Sequence, residues 1–161
     1  MNKLLLIVVM MTVWISIHLL QVEEELAMQT LFQGKYAINR AAHAAAQQLD
    51  PVALGNGVLQ IAPEAAAETA ARYLQVNLRL DANGLPLPGS FFKDPVEIVV
   101  FEVINADRGF PYTYRSDAYQ YEVTLQRPGV IIIANIVYPR AFEVLDEIEW
   151  HIKGAAELVT G

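Results

Sequence analysis

The sequence predicts an α+β protein: a long amino-terminal helix, a second short helix and an antiparallel sheet of about four strands. Three observations predict it. The run Leu4 to Val22, LLLIVVMMTVWISIHLLQV, carries no formally charged side chain. Helix-forming, alanine-rich sequence continues beyond it to Leu49, where Asp50-Pro51 stops it. The last third is dense in valine, isoleucine and tyrosine, partly in strict alternation with polar residues, which is the period-two signature of strands. Helix and strand segregate along the chain, as in α+β folds.

The apolar run comes first. At about 1.5 Å rise per residue it makes a helix about 30 Å long, the thickness of a bilayer's hydrocarbon core. Its polar members, Thr12, Ser16, His18 and Gln21, are few, and hydroxyls can bond back to the preceding turn. Residues 1–22 therefore read as a transmembrane anchor in contact with membrane lipid, residues 23–50 as the extramembrane part of the same helix, and residues 51–161 as a small α+β extracytoplasmic domain. Lys3 and the amino terminus are the positive groups on the short flank, and Glu23, Glu24 and Glu25 lie on the other. Positive-inside logic places the amino end in the cytoplasm and the domain outside the cell membrane. A cleaved signal peptide is the rival, since Met1-Asn2-Lys3 suits its n-region. Against it, the run is long for an h-region, and no small-x-small site follows.

Composition fits one modest domain on one anchor. The chain of 161 residues has no cysteine, so disulfides, thiolate metal sites and a cysteine nucleophile are excluded. Net charge is −7 with only 11 Lys and Arg, and these are scattered, so nucleic acid has no electrostatic footprint here.

Within the extramembrane helix, Leu31, Ile38, Ala42, Ala45 and Leu49 recur at helical spacing and predict one buried, interacting face. Alanine around most of the circumference from Ala41 to Ala46 would also admit neighbouring subunits closely. Gly34 is a weak point, where a bend could form at a cost of about 1 kcal/mol relative to alanine. A turn over Leu54-Gly55-Asn56-Gly57 follows, then a helix from Pro63 to about Gln75. Val76 to Leu80 reads as a short strand, Asp81 to Gly84 as a turn, and Leu85 to Gly89 as an irregular loop. Glu97 to Asn105, Tyr119 to Gln126, Ile131 to Tyr138 and Ile148 to Lys153 supply the strands, joined as a meander, with Ile131 to Tyr138 central.

Catalytic constellations are missing. His18, His43 and His151 have no ligand-spaced partner of the HExxH or HxH kind. Glu143, Asp146, Glu147 and Glu149 read as a solvated acidic loop. Ser116-Asp117 lacks a Gly-x-Ser-x-Gly context, and no glycine-rich phosphate loop occurs. No enzyme activity, cofactor or metal is expected. The segment 107–117 instead has the composition of an interface hot spot: Phe110, Tyr112, Tyr114 and Arg115 lie on what reads as a loop. It either binds a partner or covers the sheet's edge.

A membrane helix flowing into Ala41-Ala42-His43-Ala44-Ala45-Ala46, then a small β domain closing through Val130 to Arg140 and Glu147 to Val159, resembles the TadE/TadG-type pseudopilins of tight-adherence pili, in the wider type IV pilin-like group. The resemblance implies a pilin-like fold and a non-enzymatic minor structural or assembly subunit of a bacterial surface filament or secretion system. It also implies oligomeric packing with other pilin-like or pilus-assembly subunits. One departure stands out: there is no leader longer than Met1-Asn2-Lys3 and no acidic residue before Glu23. An uncleaved, membrane-resident assembly component is therefore expected. The competing expectation is a membrane-anchored binding module that uses the aromatic 107–117 loop.

Overall fold

The computed structural model describes residues 2–139 and 149–159. Helix α1 runs unbroken over Asn2–Ala46, followed by α2 (Pro51–Gly55) and α3 (Pro63–Leu78). Strands β1 (Glu97–Ile104), β2 (Tyr112–Ser116), β3 (Tyr121–Leu125), β4 (Gly129–Val137) and β5 (Glu149–Glu157) complete the chain. The class is α+β, with a long apolar amino-terminal helix.

The strands do not form one meander. Among the described residues they make two antiparallel sheets: a three-stranded one in the order β1-β4-β5, and the β2–β3 hairpin. β1 thus skips the hairpin to pair with β4, with a bulge between Ile98 and Val100. β4 is central, as its apolar sequence on both faces requires. Val130, Ile132, Ala134 and Ile136 face the helices, while Ile131 joins Ile104 and Leu125 beneath the hairpin.

Helix α3 extends through Leu78, so Val76 to Leu78 are helical rather than extended. Ala66, Ala70, Leu74 and Leu78 recur every four residues and are buried against α1. The β-branched Val76 stands on the exposed side, where its strand propensity decides nothing. Arg79, in the left-handed conformation, ends the helix. Asp50 caps α2 through its side-chain oxygen, which accepts from the amides of Val52 and Ala53. Asp81 organises its turn likewise, accepting from Asn83 and Leu85. The connection after α2 is clamped by Asn105, whose amide bonds both the N–H and the C=O of buried Ile61 at 2.9 Å.

Two glycines set how closely α1 lies on the sheet. A Cβ at Gly34 would sit 2.5 Å from Ile152 Cδ1 and 2.8 Å from Ile136 Cδ1. A Cβ at Gly154 would sit 2.7 Å from Ile38 Cγ2. Each glycine is the hollow for an isoleucine of the other element. Gly34 is therefore a close-contact point inside a continuous helix, not a bend. The paired contacts also fix direction. Gly34 to Ile38 is a rise of about 6 Å, and Ile152 to Gly154 is about 7 Å of strand, so β5 runs alongside α1 in the same sense.

Candidate functional site

The feature with no internal role is one face of α1. Residues 2–18 stand clear of the folded domain, and the segment is long and apolar enough to cross a membrane. The side chains Leu6, Ile7, Met10, Met11 and Trp14 form an open apolar groove along it. The domain covers α1 only from Glu23 upward, through Glu23, Ala27, Thr30, Gly34, Ile38, Ala41 and Ala45. Buried Thr30 returns its hydroxyl to the Leu26 carbonyl at 2.8 Å. On the opposite side Met28, Phe32 and Tyr36 are 49%, 54% and 66% exposed. At 100° per residue, Ile7, Trp14, His18, Glu25, Phe32 and Tyr36 fall within about 40° of one another. One uncovered face thus runs from the apolar segment into the stalk.

The helical residues predicted as an interaction face lie elsewhere. Ile38, Ala42 and Ala45 are wholly buried, and Leu31 and Leu49 are half-buried at the edge of the same core. Leu49 forms a β-bridge with Ile61. Their partners are the chain's own sheet and α3. The neighbouring alanines are also used internally, with Ala37, Ala41 and Ala46 buried. Met28, Phe32 and Tyr36 were not singled out by sequence reasoning. Their signal was present as large apolar residues spaced four apart, on the side away from the alanines.

The aromatic segment is a strand rather than a loop. In β2, Tyr112 and Tyr114 turn inward with Phe110 onto Ile104, Leu125 and Ile131. Burial pushes the Tyr121 hydroxyl above its ordinary pKa, and the neighbouring Tyr114 adds to this. Arg115 faces outward, with its Nε 3.2 Å from Asp117 Oδ1 and 3.8 Å from Glu122 Oε2. The rings cover the sheet, which leaves Arg115 as the accessible member of the predicted set.

The histidines are dispersed. His18 stacks on Trp14 at 5.5 Å on the uncovered face, His43 is exposed, and His151 lies against Tyr119 at 5.2 Å. Of the acidic cluster, Glu149 accepts from Asn135 Nδ2 at 3.4 Å, while Glu143, Asp146 and Glu147 lie outside the described residues, as do Arg140 and Ile148. Among the described residues no three His, Asp or Glu side chains gather as a metal group. Lys35 donates from Nζ to the Lys153 carbonyl on the outer edge of β5. Burial lowers its pKa, and the charge of Lys153 lowers it further.

A cleft of about 470 Å³ opens between the carboxyl half of α3, the 81–84 turn and the start of β1. Its floor is Leu74, Leu80 and Val96, and Gln75, Asp81 and Glu97 stand at its rim.

No family model, curated protein or solved structure matches this chain. The resemblance to TadE/TadG-type pseudopilins accordingly rests on the order and composition of the chain's own elements.

Proposed function

We propose that this protein is a single-pass, membrane-anchored structural or assembly subunit of a bacterial surface filament or secretion system. In this reading it is non-enzymatic and acts by helix packing. The carrying observation is the uncovered face of α1, which continues from the apolar segment through Met28, Phe32 and Tyr36. Lipid accounts for the apolar segment, because the hydrocarbon core matches its length. It does not account for Phe32 and Tyr36, which stand roughly 15 to 20 Å above the end of that segment at 1.5 Å per residue. Aromatic side chains left in water at that height suit contact with another subunit. Lys3 on the short flank and Glu24 and Glu25 on the other support a cytoplasmic amino end and an extracytoplasmic domain.

The test is disulfide trapping in native membranes, since the chain has no cysteine of its own. Phe32→Cys and Tyr36→Cys are expected to form covalent adducts with copies or partner subunits under mild oxidation, and Arg72→Cys on the outer side of α3 is not. Equal trapping at all three positions, or none at 32 and 36, would remove the helix-packing reading.

A further inference from the structure

We propose that the free edge of β1 is a docking site for an extended, basic segment of a different polypeptide, which adds a strand to the sheet and places an apolar side chain in the adjoining cleft. β1 pairs with β4 on one side only. Among the described residues, no backbone hydrogen bond outside that ladder involves residues 97 to 104. Between the bulge at Ile98–Val100 and the wholly buried Ile104, alternate N–H and C=O groups of β1 therefore point away from β4.

The two edges of the sheet are treated differently. On β5, Lys35 from α1 occupies the outward carbonyl of Lys153. Among the described residues β1 has no such cover, and its side chains Val99, Val100, Phe101 and Val103 are only partly buried. A long apolar edge of this kind is what strand addition uses.

The cleft supplies side-chain selection. It lies at the start of β1, where Ile98 is 37% exposed and lines it together with Leu74 and Val96. Asp81 and Glu97 stand at its rim. An apolar residue flanked by lysine or arginine matches an apolar floor between two carboxylates.

Geometry argues against a second copy as the occupant. β5 runs in the same sense as α1, so β1, antiparallel to β4 and β4 to β5, lies along the anchor's direction as well. Isologous, antiparallel β1–β1 pairing needs a two-fold axis across the strands. That axis would point the two anchors in opposite directions. Two copies anchored in one membrane cannot form it, a step that rests on the anchored reading; the edge itself does not.

The full chain in detergent micelles tests this with two synthetic peptides, one alternating valine with lysine and one alternating valine with glutamate, read by amide hydrogen exchange. The lysine peptide is expected to slow exchange at alternate amides of 97–104 at least tenfold, saturably. Glu97→Lys is expected to weaken that binding about tenfold, with the helical and β4–β5 amides unchanged. The proposal is overturned if neither peptide protects β1, if the glutamate peptide protects equally, or if protection falls on β5. It is also overturned if β1 protects itself as the protein concentration rises, which would make a second copy the occupant. Binding in micelles does not depend on membrane topology, so failure here leaves the anchored reading intact.

Discussion

Gly154→Ala is expected to destabilise the domain through Ile38, by an amount the contact geometry bounds. The added Cβ would lie 2.7 Å from Ile38 Cγ2 and 3.2 Å from Asn39 Oδ1, well inside the optimum of about 3.5 to 4.0 Å for apolar atoms. Ile38 is wholly buried, and its branched Cβ is held in one rotamer by the helix. The methyl cannot swing away, so α1 or β5 must shift. Overpacking of this kind costs about 1–3 kcal/mol. With a urea slope of about 1–3 kcal/mol per M, the unfolding midpoint falls by about 1 M. The assay is urea unfolding of the full chain in micelles, followed by Trp150 emission in a Trp14→Phe background. Ile38→Ala alone costs about 2–5 kcal/mol by leaving a cavity. In the double variant the new methyl enters the space vacated by Cγ2, so the combined loss falls short of the sum by about 1 kcal/mol or more. An unchanged midpoint for Gly154→Ala, or strictly additive losses, would refute the interlocked-glycine contact.

The mirror substitution behaves differently. Gly34→Ala meets Ile152 Cδ1 and Ile136 Cδ1, the ends of side chains that can rotate, and alanine adds about 1 kcal/mol of helix propensity. Its midpoint should stay within about 0.5 M of the parent in the same titration. Asn105→Ala removes both bonds to Ile61 and leaves a buried N–H and C=O without partners. A loss of about 2–4 kcal/mol is expected, with faster exchange at the Ile61 amide. Lys35 titrates below 10.5 because burial and Lys153 disfavour its charge. Between that lowered value and 10.5 the folded chain binds fewer protons than the unfolded one. This group's contribution to stability therefore rises with pH across that window. Lys153→Gln should move the Lys35 titration back upward, read by NMR of the Lys35 side chain.

Much of the architecture was legible because its causes are local. The alanine tract and the alternation of Tyr121, Val123 and Leu125 each report a period and a burial that the structure shows, and the uncharged run of residues 4–22 reports the helix that forms there, standing clear of the domain. The final strand, with Trp150 and Ile152 on the helix side, was legible for the same reason. What escaped depends on contacts between distant segments. Nothing within Glu97–Ile104 says that its partner is β4 rather than the next strand. The Tyr112–Ser116 strand was hidden by Gly109 and Pro111, although Tyr112 and Tyr114 alternate with Thr113 and Arg115. Gly34 read as a flaw because helix propensity counts only the helix, whereas its role is set by two isoleucines more than a hundred residues away. The predicted interaction face was found to be the helix's inner side for a related reason. An apolar stripe shows that a face is covered, not by which molecule, and here the domain itself covers Ile38, Ala42 and Ala45.

The most direct measurement is a single-cysteine scan along α1 in intact cells and isolated membranes, using a membrane-impermeant maleimide. Positions 6, 10, 14 and 17 should stay unlabelled until detergent is added, and positions 28, 32 and 36 should be reached from outside the cell unless a packed neighbour shields them. Control positions on the outer side of α3, at 72 and 76, should label from outside in every case. Labelling at 10 and 14 in sealed membranes, or labelling of 72 and 76 only after the cells are opened, would contradict a helix that begins in lipid and carries its domain outside.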